Sequence, residues 1–66
     1  MKVVVNGSET SLADGTSVSG LLAEIGLSDK RVAVEHNGVI LTTDRFGSAV
    51  LKEGDILEVL GFVGGG

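Results

Sequence analysis

One stretch of this chain reads as a helix, and most of what surrounds it reads as strand. In "TSVSGLLAEIGL" the apolar residues Val18, Leu21, Leu22 and Ile25 recur at i, i+3, i+4 and i+7, one face of an α-helix. A helix with a single apolar stripe must bury it. With no second helical pattern in 66 residues, the economical partner is one face of a mixed β-sheet, which makes the chain an α+β protein. Thr16 or Ser17 can cap the first turn through a side-chain oxygen. Gly26 suits the left-handed residue that ends a helix, and Leu27 just beyond it can fold back on Leu22 in a Schellman arrangement. Gly20, inside the helix, costs about 1 kcal/mol relative to alanine, which suggests either close approach of another element there or, the preferred reading, simple tolerance.

The strands are marked by their turns. "VVVNG" is a β-branched run closed by Asn6-Gly7, and "RVAVEHNGVIL" alternates Val32 and Val34 against Arg31, Ala33 and Glu35 before Asn37-Gly38. Asn-Gly supplies the two positive-φ positions of a type I′ turn, so each reads as a hairpin. The second strand of the first hairpin is polar, with Leu12 as its main apolar residue, and Asp14-Gly15 turns it into the helix. "TTDRFGSAV" has no clean period and reads as an irregular crossing or 3₁₀ turn pinned by Phe46. After a turn at Glu53-Gly54-Asp55 comes a final strand, with Leu57, Val59, Gly61 and Val63 on one side and Ile56, Glu58, Leu60 and Phe62 on the other. The side holding Glu58 is expected to be open, because a carboxylate under the helix would need a partner. Leu60 and Phe62 are then exposed, a candidate docking patch.

Composition excludes more than it suggests. The chain is 42% hydrophobic and 21% charged, a globular balance, and at 66 residues it has room for one small core. No cysteine is present, so disulfides and thiolate chemistry are excluded. A net charge of −4 is the wrong sign for coating phosphates, and it favours a basic protein groove over nucleic acid as partner. No apolar run reaches the length of a membrane span, and the opening turns polar too early for a signal peptide, which points to the cytoplasm. His36, the lone histidine, reads as a polar strand-end residue and not a zinc ligand. Glu35, Glu53, Asp55 and Glu58 read as turn and surface charges, and no phosphate loop or pocket-sized interior is indicated. The chain is a poor candidate for an enzyme.

What remains is "GFVGGG". Folding gains nothing from three consecutive glycines, which lose the most conformational entropy when ordered. A carboxylate on such a stem has no Cβ beside the reacting carbon, and three residues reach roughly 10 Å beyond a fold, enough to enter another protein's narrow channel. Residues 1–63 are expected to form one domain and residues 64–66 a flexible tail, with Gly64 and Gly65 the thin stem and Gly66 the reactive end.

The hairpin, single helix, later strands and glycine tail resemble the ubiquitin-like β-grasp proteins. More closely, "VVVNG", "ADGTSVSGLLAEIGL", "RVAVEHNGVIL" and "LKEGDILEVLGFVGGG" are similar to the ThiS family of sulfur carriers. The resemblance covers the whole chain and departs at Thr42 to Val50, where relatives commonly have a longer polar crossing with a tryptophan and this chain has Phe46. It implies that the Gly66 carboxylate is adenylated by an E1-like, ThiF-like partner, which uses ATP, and is converted to a thiocarboxylate with sulfur from a persulfide donor. It further implies delivery of that sulfur to a ThiG-like thiazole synthase in thiamine biosynthesis, with no cofactor or metal bound by the carrier and catalysis left to its partners. The alternatives are the small subunit of molybdopterin synthase or another β-grasp sulfur carrier, and a ubiquitin-like protein modifier whose terminus meets a lysine.

Overall fold

A computed structural model describes residues 1–27 and 31–61. These form β1 (Lys2–Val5), β2 (Ser8–Ser11), α1 (Val18–Glu24), β3 (Val32–His36), β4 (Val39–Leu41), a 3₁₀ turn at Thr43–Arg45, and β5 (Ile56–Gly61). The sheet order is β2-β1-β5-β3-β4. β5 lies at its centre, parallel to β1 through Val4↔Ile56 and Val5↔Leu57 and antiparallel to β3 from Val32↔Gly61 to His36↔Leu57. This is the expected succession of elements, with one helix on one face of a mixed sheet.

Both Asn-Gly turns take the conformation that their residues favour. Asn6 and Gly7 have φ of 50° and 83°, and Asn37 and Gly38 have 51° and 84°, the paired positive values of type I′ turns whose twist matches that of the strands they join.

The helix starts and stops by identifiable chemistry. The amides of its first turn, which have no intrahelical acceptor, are all taken: Val18 donates to the Ala49 carbonyl, Ser19 to the Phe46 carbonyl and Gly20 to the hydroxyl of Ser17, the N-cap, at 3.1 Å. Two of the three acceptors lie in the crossing segment, so the segment without a sequence period is what finishes the helix. A side chain on Gly20 would meet Thr16 Cγ2 at 3.1 Å, so the crowding there comes from residues at the helix's own start and not from another element. At the other end the Gly26 amide donates to Ala23 and the Leu27 amide to Leu22, the two bonds of a Schellman motif.

Ile25 departs from the expected stripe. It falls at the C-cap, where the helical turn is already ending, and is 42% exposed. The helix therefore contributes Val18, Leu21 and Leu22 to the core, where they meet Val3 and Val5 of β1, Val32 and Val34 of β3, and Leu57 and Val59 of β5. Leu12, Leu51 and Phe46 close the rim, with Phe46 fully buried as the pin of the crossing. Every core residue is apolar, and no buried side-chain polar atom among the described residues lacks a partner.

Candidate functional site

Alternation along β5 decides what this domain presents. Leu57 and Val59 point under the helix, which sends Ile56, Glu58 and Leu60 to the opposite, helix-free face, where Leu60 is 62% exposed. Register then sets their neighbours on that face: Ala33 opposite Leu60, Glu35 opposite Glu58, and Ile40 of β4 opposite Glu35. Together with Asn6 they line an open groove of about 490 Å³. The sequence indicated no pocket-sized interior; this groove lies along β3, β4 and β5 on the open face.

Two asparagines hold β5 in place for reasons that no local pattern shows. β1 ends at Val5, yet Asn6, in the turn that follows, continues its pairing with a side chain: Oδ1 accepts from the Val59 amide at 2.7 Å and Nδ2 donates to the Val59 carbonyl at 3.0 Å. Asn37 holds the start of β5, accepting from the Ile56 amide at 2.8 Å through Oδ1 while its backbone N–H donates to the Ile56 carbonyl. The strand that leads into the glycine segment is thus gripped along both edges.

Asp55, expected to be a plain turn charge, is instead the centre of a small network. Its carboxylate meets His36 Nε2 at 2.8 Å and accepts from Asn37 Nδ2 at 3.1 Å and from the Lys52 amide at 2.9 Å. Burial works against its ionised form, but the hydrogen bonds from His36, Asn37 and Lys52 outweigh that cost and hold the carboxyl below the usual aspartate range. His36 is accordingly more than a strand-end polar residue: it ties the β3–β4 hairpin to the residue before β5. No group of acidic or histidine side chains among the described residues could hold a metal ion.

Leu60 lies where the alternation placed it. Phe62, Gly64, Gly65 and Gly66 lie outside the described residues. At Gly61, the last of β5, Leu27 from the helix's Schellman turn lies alongside, and a Cβ there would be in ordinary contact with its Cδ2 at 3.7 Å. The side chain expected to fold on Leu22 thus lies beside Gly61, which itself stays exposed.

A five-stranded mixed sheet in this order, crossed on one face by a single helix, defines a ubiquitin-like β-grasp protein. The family model described as "ThiS family" matches residues 2–66, and the chain belongs to that family. It is similar over its full length to the crystal structure of the thiamine biosynthesis protein ThiS from Geobacter metallireducens, with a TM-score of 0.83, 35% identity and all of both chains covered. It is 35% identical over 63 residues to the sulfur carrier protein ThiS of Bacillus subtilis, covering 94% of this chain and 96% of that one. A thiazole synthase of Paramagnetospirillum magneticum is 38% identical over all 66 residues, and one of Magnetococcus marinus is 39% identical. The chain spans 20% of the length of each of these two synthases.

Proposed function

We propose that this protein is a sulfur carrier of thiamine biosynthesis, with the carboxylate of Gly66 as its working group. The observation that carries the reading is the family match through residue 66, which joins the glycine segment to a β-grasp domain. A carboxylate is a poor acyl donor. Attack by its oxygen on the α-phosphorus of ATP, with loss of pyrophosphate, makes a mixed anhydride in a ThiF-like adenylating enzyme. The terminal sulfur of a persulfide then attacks the acyl carbon and displaces AMP, forming a new C–S bond in an acyl disulfide, and a second thiol attacks the donor-side sulfur of the old S–S bond, forming a disulfide with the donor and leaving a thiocarboxylate on Gly66. This chain supplies no catalytic group to these steps. It is a co-substrate, Gly64 and Gly65 serve as the stem that enters the partner, and Leu60 with Phe62 forms part of the docking surface.

Relatives named thiazole synthase that include a segment like this chain support a ThiG-like enzyme as the acceptor of the sulfur. The use of ATP, a persulfide donor and both partners in this reading supports a cytoplasmic location. No helix among the described residues is long and apolar enough to cross a membrane.

The test is intact mass after incubation with ATP, the adenylating enzyme and a persulfide source. The protein gains the difference between sulfur and oxygen on its C-terminal peptide. A variant lacking Gly66 folds normally but gains nothing, because its acyl carbon stands about 3.5 Å short of the reacting position. Sulfur on the truncated variant, or anywhere but the terminus, refutes the reading.

A further inference from the structure

Both asparagines of this chain, Asn6 and Asn37, precede a glycine, and the chain has no glutamine. Asn-Gly is the dipeptide that loses a side-chain amide most readily, because glycine puts no side chain in the way of its own nitrogen and leaves the backbone free to bend toward the asparagine. The two sites start equal: each is a type I′ turn with nearly the same φ values, and open space surrounds each glycine. What differs is the hold on the carboxamide, which must turn away from its partners before the next nitrogen can reach its carbon. At Asn6 both bonds go to the Val59 backbone and are partly buried, so release leaves an amide and a carbonyl of the central strand without those partners and shielded from water. At Asn37 both bonds are exposed, one from the Ile56 amide and one to the Asp55 carboxylate. Water replaces the first, and Asp55 keeps His36 and the Lys52 amide after losing the second.

We propose that Asn37-Gly38 is a site of spontaneous deamidation in the folded protein, that Asn6-Gly7 is shielded from it, and that the product weakens the tie between the β3–β4 turn and the start of β5. The Gly38 nitrogen, its proton taken by solvent base, attacks Asn37 Cγ. A C–N bond forms and closes a five-membered succinimide, the Cγ–Nδ2 bond breaks, and ammonia leaves with a proton from water. A second water then adds to either ring carbonyl and opens the ring to aspartate or isoaspartate. The net exchange is one water in and one ammonia out, with no oxidant or reductant, and the chain gains one negative charge. Aspartate at this position has no donor for Asp55 and sets a carboxylate where the 3.1 Å bond was, and like charges at that separation repel. Isoaspartate adds a methylene to the backbone of a two-residue turn whose length fixes the hairpin register.

The experiment incubates the full chain in mildly alkaline buffer, native and in concentrated urea, and follows intact mass and peptide mapping over time. With no glutamine present, every gain of the mass difference between hydroxyl and amino groups lies at Asn6 or Asn37. In the native protein Asn37 reacts about fivefold faster than Asn6 or more, the factor that one net hydrogen bond represents, whereas in urea the two rates converge. Asn37→Gly, which keeps the turn, loses the fast phase and retains only the slow one. Asn37→Asp, the aspartate form of the product, melts below the wild type, and so does the acidic fraction that ion exchange separates from the aged protein. Equal native rates at the two sites, a faster Asn6, or reaction at both only in urea overturns the proposed site. A rate difference that persists unchanged in urea does the same, because it assigns the preference to local sequence and not to the fold. Asn37→Asp and the aged fraction melting with the wild type overturn the weakened tie.

Discussion

Asn6→Gly isolates what the first turn does beyond turning. Glycine adopts the φ of 50° found at Asn6 without strain, so the hairpin reversal survives and only the side chain is lost. With it go two hydrogen bonds to the Val59 backbone, at 2.7 and 3.0 Å, both partly shielded from water. At about 1 kcal/mol each, the loss is about 2 kcal/mol. The added freedom of glycine in the unfolded chain and the relief of a left-handed non-glycine residue act in opposite directions and largely cancel. A domain of this size has a total stability of roughly 3–10 kcal/mol, so the variant loses a substantial share of it, and its melting midpoint falls by roughly 8–16 °C. Far-ultraviolet circular dichroism in urea measures this, since the chain has no tryptophan or tyrosine to report by fluorescence. Amide exchange at Val59 localises the loss. Asn6→Asp keeps the acceptor but turns a carboxylate oxygen toward the Val59 carbonyl, and so costs at least as much as Asn6→Gly. A glycine variant within about 0.5 kcal/mol of the wild type, with Val59 still protected, would show that the side-chain bonds merely replace water contacts of equal worth.

Two further expectations concern the core and pH. Leu57→Ala empties a fully buried position at the centre of the sheet and costs about 2–5 kcal/mol, enough to leave the domain marginal at room temperature by urea titration. Asp55 has a carboxyl pKa lowered on folding, so its network stabilises the fold above the ordinary aspartate value of about 3.9 and loses that contribution as pH falls through the lower folded value. Acid titration of thermal stability shows this limb in the wild type, and Asp55→Asn lacks it; identical acid limbs in the two proteins would remove Asp55 from the account.

The parts of the structure legible in the sequence are those that neighbouring residues determine. Asn6-Gly7 and Asn37-Gly38 mark their turns by themselves, Val32 and Val34 show their face by alternation, and Gly26 with Leu27 shows how the helix ends. The exposure of Leu60 followed from the same reasoning applied to Glu58. Registers between distant strands were not legible. Nothing near Asn6 indicates that its side chain meets Val59, nothing near Glu35 indicates that Glu58 lies opposite, and Asp55 looks like any turn carboxylate until the β3–β4 turn is placed beside it. Ile25 misled for a related reason: helical spacing continues past the point where the Schellman turn has already ended the helix.

The parallel contact of β1 with β5 makes folding a late event. Most of the sequence lies between Val4 and Ile56, yet they are paired at the heart of the sheet, with β3 on the other side of β5. Closing so long a loop costs entropy before any contact repays it. A nascent chain that has emerged only as far as the crossing segment has two hairpins and a helix with no central strand to join them. It gains its sheet when β5 threads between them. Since β5 is also the stretch that precedes the glycines in sequence, the strand that completes the sheet is the last one before them.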